Sequence, residues 1–165
     1  HALVGWQVGG IITLSSGFTS TVGTTSRFAT LGWGNESPDL VAGFSNNPTS
    51  GTSAGCAGVA AGTPLGTDET YMDPCAFAPP PNRTIGNLGR NTIVAPGRAV
   101  VDFTLSKGFK FSESQQLQFR MEGFNFFNRV NLGFPGRDIT TSTFGKIDRT
   151  QTSARQIQLG LRYTF

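Results

Sequence analysis

The sequence is poor in charge and lacks a long hydrophobic run. Charged residues make up 14% of the 165 residues, whereas typical soluble domains have about 25%. No apolar run reaches the roughly 18 residues of a membrane-spanning helix, which excludes that class. A basic start followed by an apolar stretch, as in a secretory signal, is also missing. Because the chain begins without Met, we interpret it as a processed or truncated product.

The residues that usually carry enzyme chemistry are equally scarce. The only histidine is His1, at the terminus, so a Ser-His-Asp arrangement would have to recruit it. The single carboxylate cluster is Asp68, Glu69 and Asp73, which lacks calcium-loop spacing and fits a solvated loop better. The 13 Lys and Arg residues are scattered and form no patch for nucleic acid. We therefore expect no catalytic residue, no cofactor and no metal.

Two cysteines, Cys56 and Cys75, flank a stretch rich in Gly, Thr and Pro. This arrangement suits a disulfide that closes a loop in an oxidising compartment, and two unpaired thiols are the alternative. A zinc site needs more ligands than two cysteines supply, and His1 is the only histidine. The sequence thus favours a disulfide over a metal.

Gly (22 residues) and Phe (14 residues) are abundant, and apolar residues alternate with polar or small ones in four segments. The C-terminal segment is the most regular, because every second residue from Ile157 to Phe165 is apolar. The other segments carry the following apolar sets: Val4, Trp6, Val8, Ile12 and Leu14; Ala99, Val101, Phe103, Leu105 and Phe109, interrupted by Lys107; and Leu117, Phe119 and Met121. Alternation with period two predicts half-buried strands, and no segment has a helical period, so we expect an all-β fold of antiparallel strands.

The lengths of the connections distinguish a membrane barrel from a soluble sandwich. We predict strands at about 3–15, 98–111, 115–127 and 154–165, joined by a long loop at about 17–97, a short turn at 112–114 and a second long loop at about 128–153. Long outer loops that alternate with tight periplasmic turns are typical of transmembrane β-barrels. Compact domains rarely contain unstructured loops of such length. We therefore expect the C-terminal four strands of a transmembrane barrel.

Two further patterns agree with a barrel. Aromatic residues gather at the predicted strand ends: Phe109 and Phe111, then Phe124, Phe126 and Phe127, then Tyr163 and Phe165. Barrels carry such aromatic girdles at both membrane interfaces, although the same Phe residues would fill a soluble core. Arg120 and Glu122 share the polar side of one strand, where we expect an ion pair facing the barrel interior or, in a sandwich, the solvent.

Three motifs, "NLGRN", "FNFFNRVN" and the final "YTF", occur here in the order and spacing of a known family. With "GWQVGGIITLSSGFTSTV" near the start, they resemble the C-terminal part of a TonB-dependent outer-membrane receptor of the Oar-like, carboxypeptidase-regulatory-like type. The resemblance implies a barrel of about 22 strands with an N-terminal plug. It implies uptake of a ligand across the bacterial outer membrane, powered by an energy-transducing periplasmic partner. It also implies that the strand ending in Tyr163 and Phe165 is the signal read by the barrel assembly machinery.

The chain departs from that family in having no plug and too few strands to close a barrel. Because strand edges with unpaired backbone groups favour strand pairing, we expect the chain to associate with other strands or with copies of itself. The alternative is therefore a secreted or cell-surface β-protein that acts as a binding module or as a self-assembling fibre subunit. Outer-membrane lipid is the partner expected for the apolar side of the strands. In the long loop, Trp33, Phe44 and Tyr71 are candidate ligand contacts. The alternative for these three aromatic residues is packing within the loop.

Overall fold

The computed structural model describes residues 4–24, 36–81 and 84–165, which divide into two compact units. The strand unit comprises residues 4–15, 98–131 and 151–165, and the loop unit comprises the described residues of 16–97 and 132–150. Eight strands occur in chain order: β1 Trp6–Ser15, β2 Thr19–Ser20, β3 Asp39–Leu40, β4 Phe77–Ala78, β5 Ile93–Val94, β6 Arg98–Lys110, β7 Gln116–Phe124 and β8 Gln156–Thr164. The described residues contain one short 3-10 helix, Pro74–Ala76. The predicted all-β antiparallel class is confirmed.

The strand unit is a four-stranded antiparallel sheet in the order β1-β6-β7-β8. Its strands coincide with the four alternating segments, and each is slightly shorter than predicted. Ser15 pairs with Arg98 and Phe124 pairs with Gln156 at one end of the sheet, which we call the loop end. The opposite end, which we call the turn end, holds the short connection between Lys110 and Gln116.

The register aligns the four alternations on a common side of the sheet. Val8 pairs with Leu105, which pairs with Met121, which pairs with Leu159. Directly opposed residues of antiparallel strands project to the same face, so one row of apolar side chains crosses the whole sheet. A slip of one residue in any pairing would move that strand's apolar side chains to the polar face. The sheet therefore has one apolar and one polar face.

Strand β7 ends at Phe124, earlier than the predicted boundary at about 127. Asn125 has a φ of 47°, in the left-handed region that an asparagine tolerates better than most residues, and this conformation ends the strand. Phe126 then contacts the sheet over Gly123, where an added Cβ would lie 2.8 Å from the Phe126 ring. The two last phenylalanines of the motif thus lie beyond the strand, and Gly123 makes room for one of them.

The loop unit has a hydrophobic core of its own, which the sequence did not predict. The core comprises Val22, Met72, Ala76, Phe77, Leu88, Ile93 and Phe144, with Leu40, Phe44 and Ile139 packed against it. Phe77 and Phe144 contact edge to face at a centroid distance of 5.5 Å. The sequence showed no periodicity here because the core residues come from short, separate segments. The described parts of the two long connections consequently form one ordered unit.

A disulfide joins Cys56 to Cys75 within the loop unit, as the spacing favoured. Cys56 and Val59 exchange two backbone hydrogen bonds around Ala57 and Gly58, which closes a tight two-residue turn. Asp73 precedes the 3-10 helix and accepts the N–H of Cys75 at 3.0 Å. The disulfide therefore ties the hairpin tip to a capped helical turn.

No helix in the described part of the chain is long and apolar enough to cross a membrane.

Candidate functional site

The apolar face of the sheet exposes many large hydrophobic side chains of the strand unit. Its members on the four strands are Trp6, Val8, Ile12, Leu14, Ala99, Val101, Phe103, Leu105, Phe109, Leu117, Phe119, Met121, Ile157, Leu159, Leu161 and Tyr163. Several are more than half exposed, including Leu159 at 68%. Soluble monomers rarely expose apolar surface on this scale, so the face must contact lipid or protein.

Lys107 is the one charged residue in this face among the four described strands, and the structure gives it partners. Its side chain is 4% exposed, and its ammonium lies 5.0 Å from the ring centroid of Trp6 and 5.3 Å from that of Phe109. The ammonium also donates to the backbone carbonyl of Val4. Cation–π contact and a hydrogen bond stabilise a charge on an apolar surface. The charged residue that interrupts the apolar alternation of β6 is thus covered by the rings of Trp6 and Phe109.

The polar face carries amide, hydroxyl and charged groups along its length. Its members near the centre and the turn end are Gln7, Thr104, Ser106, Gln116, Gln118, Arg120, Glu122, Gln158 and Arg162. Arg120 donates to Glu122 at 2.6 Å, so the predicted ion pair is present. The Arg120 side chain is 55% exposed, and a pair this exposed contributes about 1 kcal/mol or less to stability. The polar face is therefore built for contact with water or a polar partner.

A hollow of about 320 Å³ lies beside this ion pair on the polar face. Gly9 forms part of its lining, and an added Cβ at Gly9 would meet no atom within 4 Å. Gln7, Ser106 and Gln118 supply polar groups to the same hollow. Glycine within a strand often marks a place where another group approaches closely.

Three asparagines of the "FNFFNRVN" motif fasten the loop end of the sheet. Buried Asn125 donates from Nδ2 to the carbonyls of Arg129 and Ser153, both at 3.0 Å, and its Oδ1 accepts the N–H of Arg129. The Oδ1 of Asn128 accepts the N–H of Arg155 at 3.0 Å.

The third asparagine, Asn131, is also buried and acts on two strands. Its Oδ1 accepts the N–H of Ala99 at 2.9 Å, and its Nδ2 donates to the hydroxyl of Thr152 at 3.0 Å. The motif thereby ties the start of β6 and the chain before β8 to the segment after β7. The sequence singled out this motif by its resemblance to a known family, and the structure shows that its three asparagines hold the loop end of the sheet together.

The "NLGRN" motif forms similar reciprocal bonds within the loop unit. Asn87 donates its N–H to Asp39 Oδ1 at 2.9 Å and accepts the N–H of Leu40 at 2.8 Å. Asn91, with a φ of 56°, exchanges two hydrogen bonds with the hydroxyl group of Thr21. The motif thereby joins two distant segments of the loop unit.

The candidate ligand-contact aromatics of the long loop have different positions. Phe44 packs against the core, and Tyr71 is buried with its hydroxyl donating to the carbonyl of Val94 at 2.8 Å. Burial raises the pKa of the Tyr71 hydroxyl above its ordinary 10.0. Trp33 lies outside the described residues. The placement of Phe44 and Tyr71 favours the packing alternative.

The carboxylates in the described part of the loop unit form no group of three that could hold a metal ion. Asp73 is buried and accepts from the hydroxyl of Ser53 at 2.9 Å. Asp148 is exposed and pairs with Arg149 at 3.0 Å, which lowers the pKa of the Asp148 carboxyl. Among the described residues, no group of three or more His, Cys, Asp or Glu side chains could hold a metal ion.

An open polar cavity of about 590 Å³ lies in the loop unit. Its charged lining residues are Glu36, Arg90, Arg137 and Asp138. Arg90 and Arg137 are exposed, and Arg137 lies 3.5 Å from the hydroxyl of Ser20. The sequence did not single out this group, because its members are separated by as many as a hundred residues and share no motif.

Aromatic residues cluster at the turn end of the sheet, as expected for a girdle. Tyr163 and Phe165 stack with their centroids 5.9 Å apart, and Phe109 and Phe111 are exposed beside the short turn. An antiparallel sheet with one apolar face, one polar face, a tight turn at one end and long connections at the other has the geometry of a transmembrane β-barrel wall.

This class agrees with the comparison against protein families. A family model described as an outer membrane beta barrel domain matches residues 1–158, and the chain belongs to this family. Membership places the protein in the bacterial outer membrane. No curated protein and no solved structure matches the chain.

Proposed function

We propose that this chain is the C-terminal barrel segment of a TonB-dependent outer-membrane receptor that takes up a ligand from outside the cell. The observation that carries the proposal is the polar cavity of the ordered loop unit. Its volume of about 590 Å³ lies in the range of small-molecule sites, and two arginines and two carboxylates line it. A polar or charged solute is the class of ligand that such a lining recognises. We assign no catalytic role to any residue.

The polar face fits the proposed receptor as part of a hydrophilic lumen wall. The Arg120–Glu122 pair and the surrounding glutamines would form part of a hydrophilic lumen wall. In the proposed receptor a plug fills this lumen, and an energy-transducing periplasmic partner acts on parts of the receptor other than the four strands.

The edges of the sheet add a requirement for further strands. Strands β1 and β8 each pair with a single neighbour among the described strands. A strand edge in hydrocarbon must have its backbone groups hydrogen-bonded, so both edges need partners. We propose that they pair with other strands of one barrel, inserted by the barrel assembly machinery, and that self-association of copies is the alternative outcome.

The test is energised uptake by cells that produce the protein. Labelled ferric siderophores, oligosaccharides and peptides are offered with and without a protonophore. We expect accumulation of at least one solute class, loss of accumulation with the protonophore, and weaker accumulation after combined Arg90→Gln and Arg137→Gln substitution.

Arg149→Gln provides the matched control, because Arg149 is an exposed arginine of the loop unit whose partner is Asp148. Uptake that is insensitive to the protonophore would indicate a passive pore and contradict the proposal. If the cavity substitutions and the control substitution reduced uptake equally, the cavity would not be the binding site of the solute.

A further inference from the structure

Two segments at the loop end of the sheet, the one after β7 and the one before β8, carry exposed arginines together with exposed apolar side chains. In the strand unit, Phe127 is 73% exposed and Val130 is 67% exposed, and both belong to the segment that follows β7. Arg129 lies between them and is also exposed. Arg155 is exposed immediately before β8. We call these four residues the rim group.

The asparagine bonds bring the two arginines of the rim group together. Asn128 Oδ1 accepts the N–H of Arg155, and Arg129 is the next residue after Asn128. Asn125 holds the backbone of Arg129 from both sides, through its N–H and its carbonyl. The two backbones are therefore fixed near each other by side chains that are not part of the rim group.

Arg155 and Phe127 of the rim group continue the apolar face. In β8 the residues Ile157, Leu159 and Leu161 belong to that face, so the same alternation, extended by one residue, places Arg155 on it. Phe127 packs edge to face on Phe126 at a centroid distance of 5.6 Å. Phe126 in turn contacts Phe103 of the apolar face at 5.4 Å.

The charges of the rim group have no partner within the described residues. Neither guanidinium takes part in an ion pair or a side-chain hydrogen bond there. Asp102 is the only acidic residue in 98–102, 124–131 and 151–156, and its Oδ1 accepts the N–H of Asn125. Two arginines whose backbones are held near each other at the border of an apolar surface match an anionic group attached to acyl chains.

We propose that the rim group binds a phosphorylated, acylated glycolipid of the outer leaflet. The guanidinium groups of Arg129 and Arg155 hold its phosphates, because guanidinium and phosphate match in charge and hydrogen-bonding geometry. The acyl chains lie on the apolar face, starting at Phe127 and Val130. The proposal rests on the outer-membrane family and does not depend on ligand uptake.

The test measures lipid binding to the full-length protein in detergent. The probes are lipid A with its phosphates, lipid A from which the phosphates have been removed, and inorganic phosphate as a competitor. We expect the apparent Kd for phosphorylated lipid A to rise about fivefold for Arg129→Gln or Arg155→Gln and about thirtyfold for both. Arg162→Gln is the matched control, since Arg162 is an exposed β8 arginine on the polar face.

Further arms distinguish a glycolipid site from a general anion site and from a purely apolar surface. Removal of the phosphates should weaken binding as much as the double substitution, and inorganic phosphate should not displace the lipid. Equal affinity for both forms of lipid A would overturn the proposal, as would displacement by inorganic phosphate or an equal loss in the control. If the double variant does not show the gel mobility of a folded barrel, the proposal is tested by the binding of the two lipid A forms to the unchanged protein.

Discussion

Substitution of Leu159 by arginine tests the sidedness of the sheet directly. Leu159 belongs to the row formed with Val8, Leu105 and Met121. Along β8 it lies about 10 Å from Gln156 and about 17 Å from Thr164, at about 3.4 Å per residue. With a strand tilt of about 40°, these lengths correspond to depths of about 8 and 13 Å in an apolar band about 25 Å tall. The side chain is therefore well inside hydrocarbon in the folded barrel.

The expected cost follows from this depth. Arginine on the lipid face costs about 2–4 kcal/mol at the midplane, and Leu159 is close to it, so we expect about 2–3 kcal/mol. This range corresponds to about a 30- to 150-fold decrease in the folding equilibrium constant. Gln158→Arg is the control, because the neighbouring residue lies on the polar face, and its cost should stay within about 0.5 kcal/mol.

The assay is reversible folding of the full-length protein into phosphatidylcholine vesicles against denaturant. Tryptophan fluorescence and the gel mobility of unheated samples report the folded fraction. A Leu159→Arg variant that unfolds at the same denaturant concentration as the Gln158→Arg variant would show that this face does not contact lipid. The assignment of the two faces would then have to be abandoned.

Three further predictions concern the loop unit and the asparagine bonds. Reduction of the Cys56–Cys75 disulfide should destabilise the loop unit by about 3 kcal/mol, seen as protease cleavage at lower denaturant, and unchanged cleavage would contradict a structural role. The pKa of the Tyr71 hydroxyl is raised in the folded state, so its contribution to folding stability is complete below pH 10.0 and is lost as the pH rises through the folded-state pKa. Tyr71→Phe should abolish this alkaline loss of stability, measured by unfolding together with phenolate absorbance. Near neutral pH the same substitution should cost about 1 kcal/mol, because the hydrogen bond to the Val94 carbonyl is lost. Asn125→Ala should cost about 3 kcal/mol in vesicle unfolding, and Asn125→Gly, which keeps the backbone conformation, should not recover it if the side-chain bonds dominate.

The four long strands were predictable because alternation is a local property. The polarity of each residue from Ile157 to Tyr163 indicates which side of the sheet it occupies. The strand and its two faces can therefore be predicted without knowing the neighbouring strands. Boundaries were less predictable where a special conformation intervened. Asn125, at a φ of 47°, ends β7 within a run rich in phenylalanine, where the sequence gives no sign of a strand end.

The candidate site was predictable only in part. Arg120 and Glu122 are two residues apart on one strand, and their ion pair follows from that spacing. The cavity of the loop unit joins residues as distant as Glu36 and Asp138, which no local pattern connects. The rim group depends likewise on a hydrogen bond between Asn128 and the backbone of Arg155, 27 residues away.

Side-chain alternation is enough to show that this protein consists of strands with one apolar and one polar side, because the two faces of a strand are encoded locally. The neighbours of each strand, the core that the two long connections share around Met72 and Phe77, and the contact of Lys107 with Trp6 and Phe109 became visible in the folded chain alone. These features depend on register and on contacts between distant segments, and such contacts are set by packing and hydrogen bonding of the whole chain.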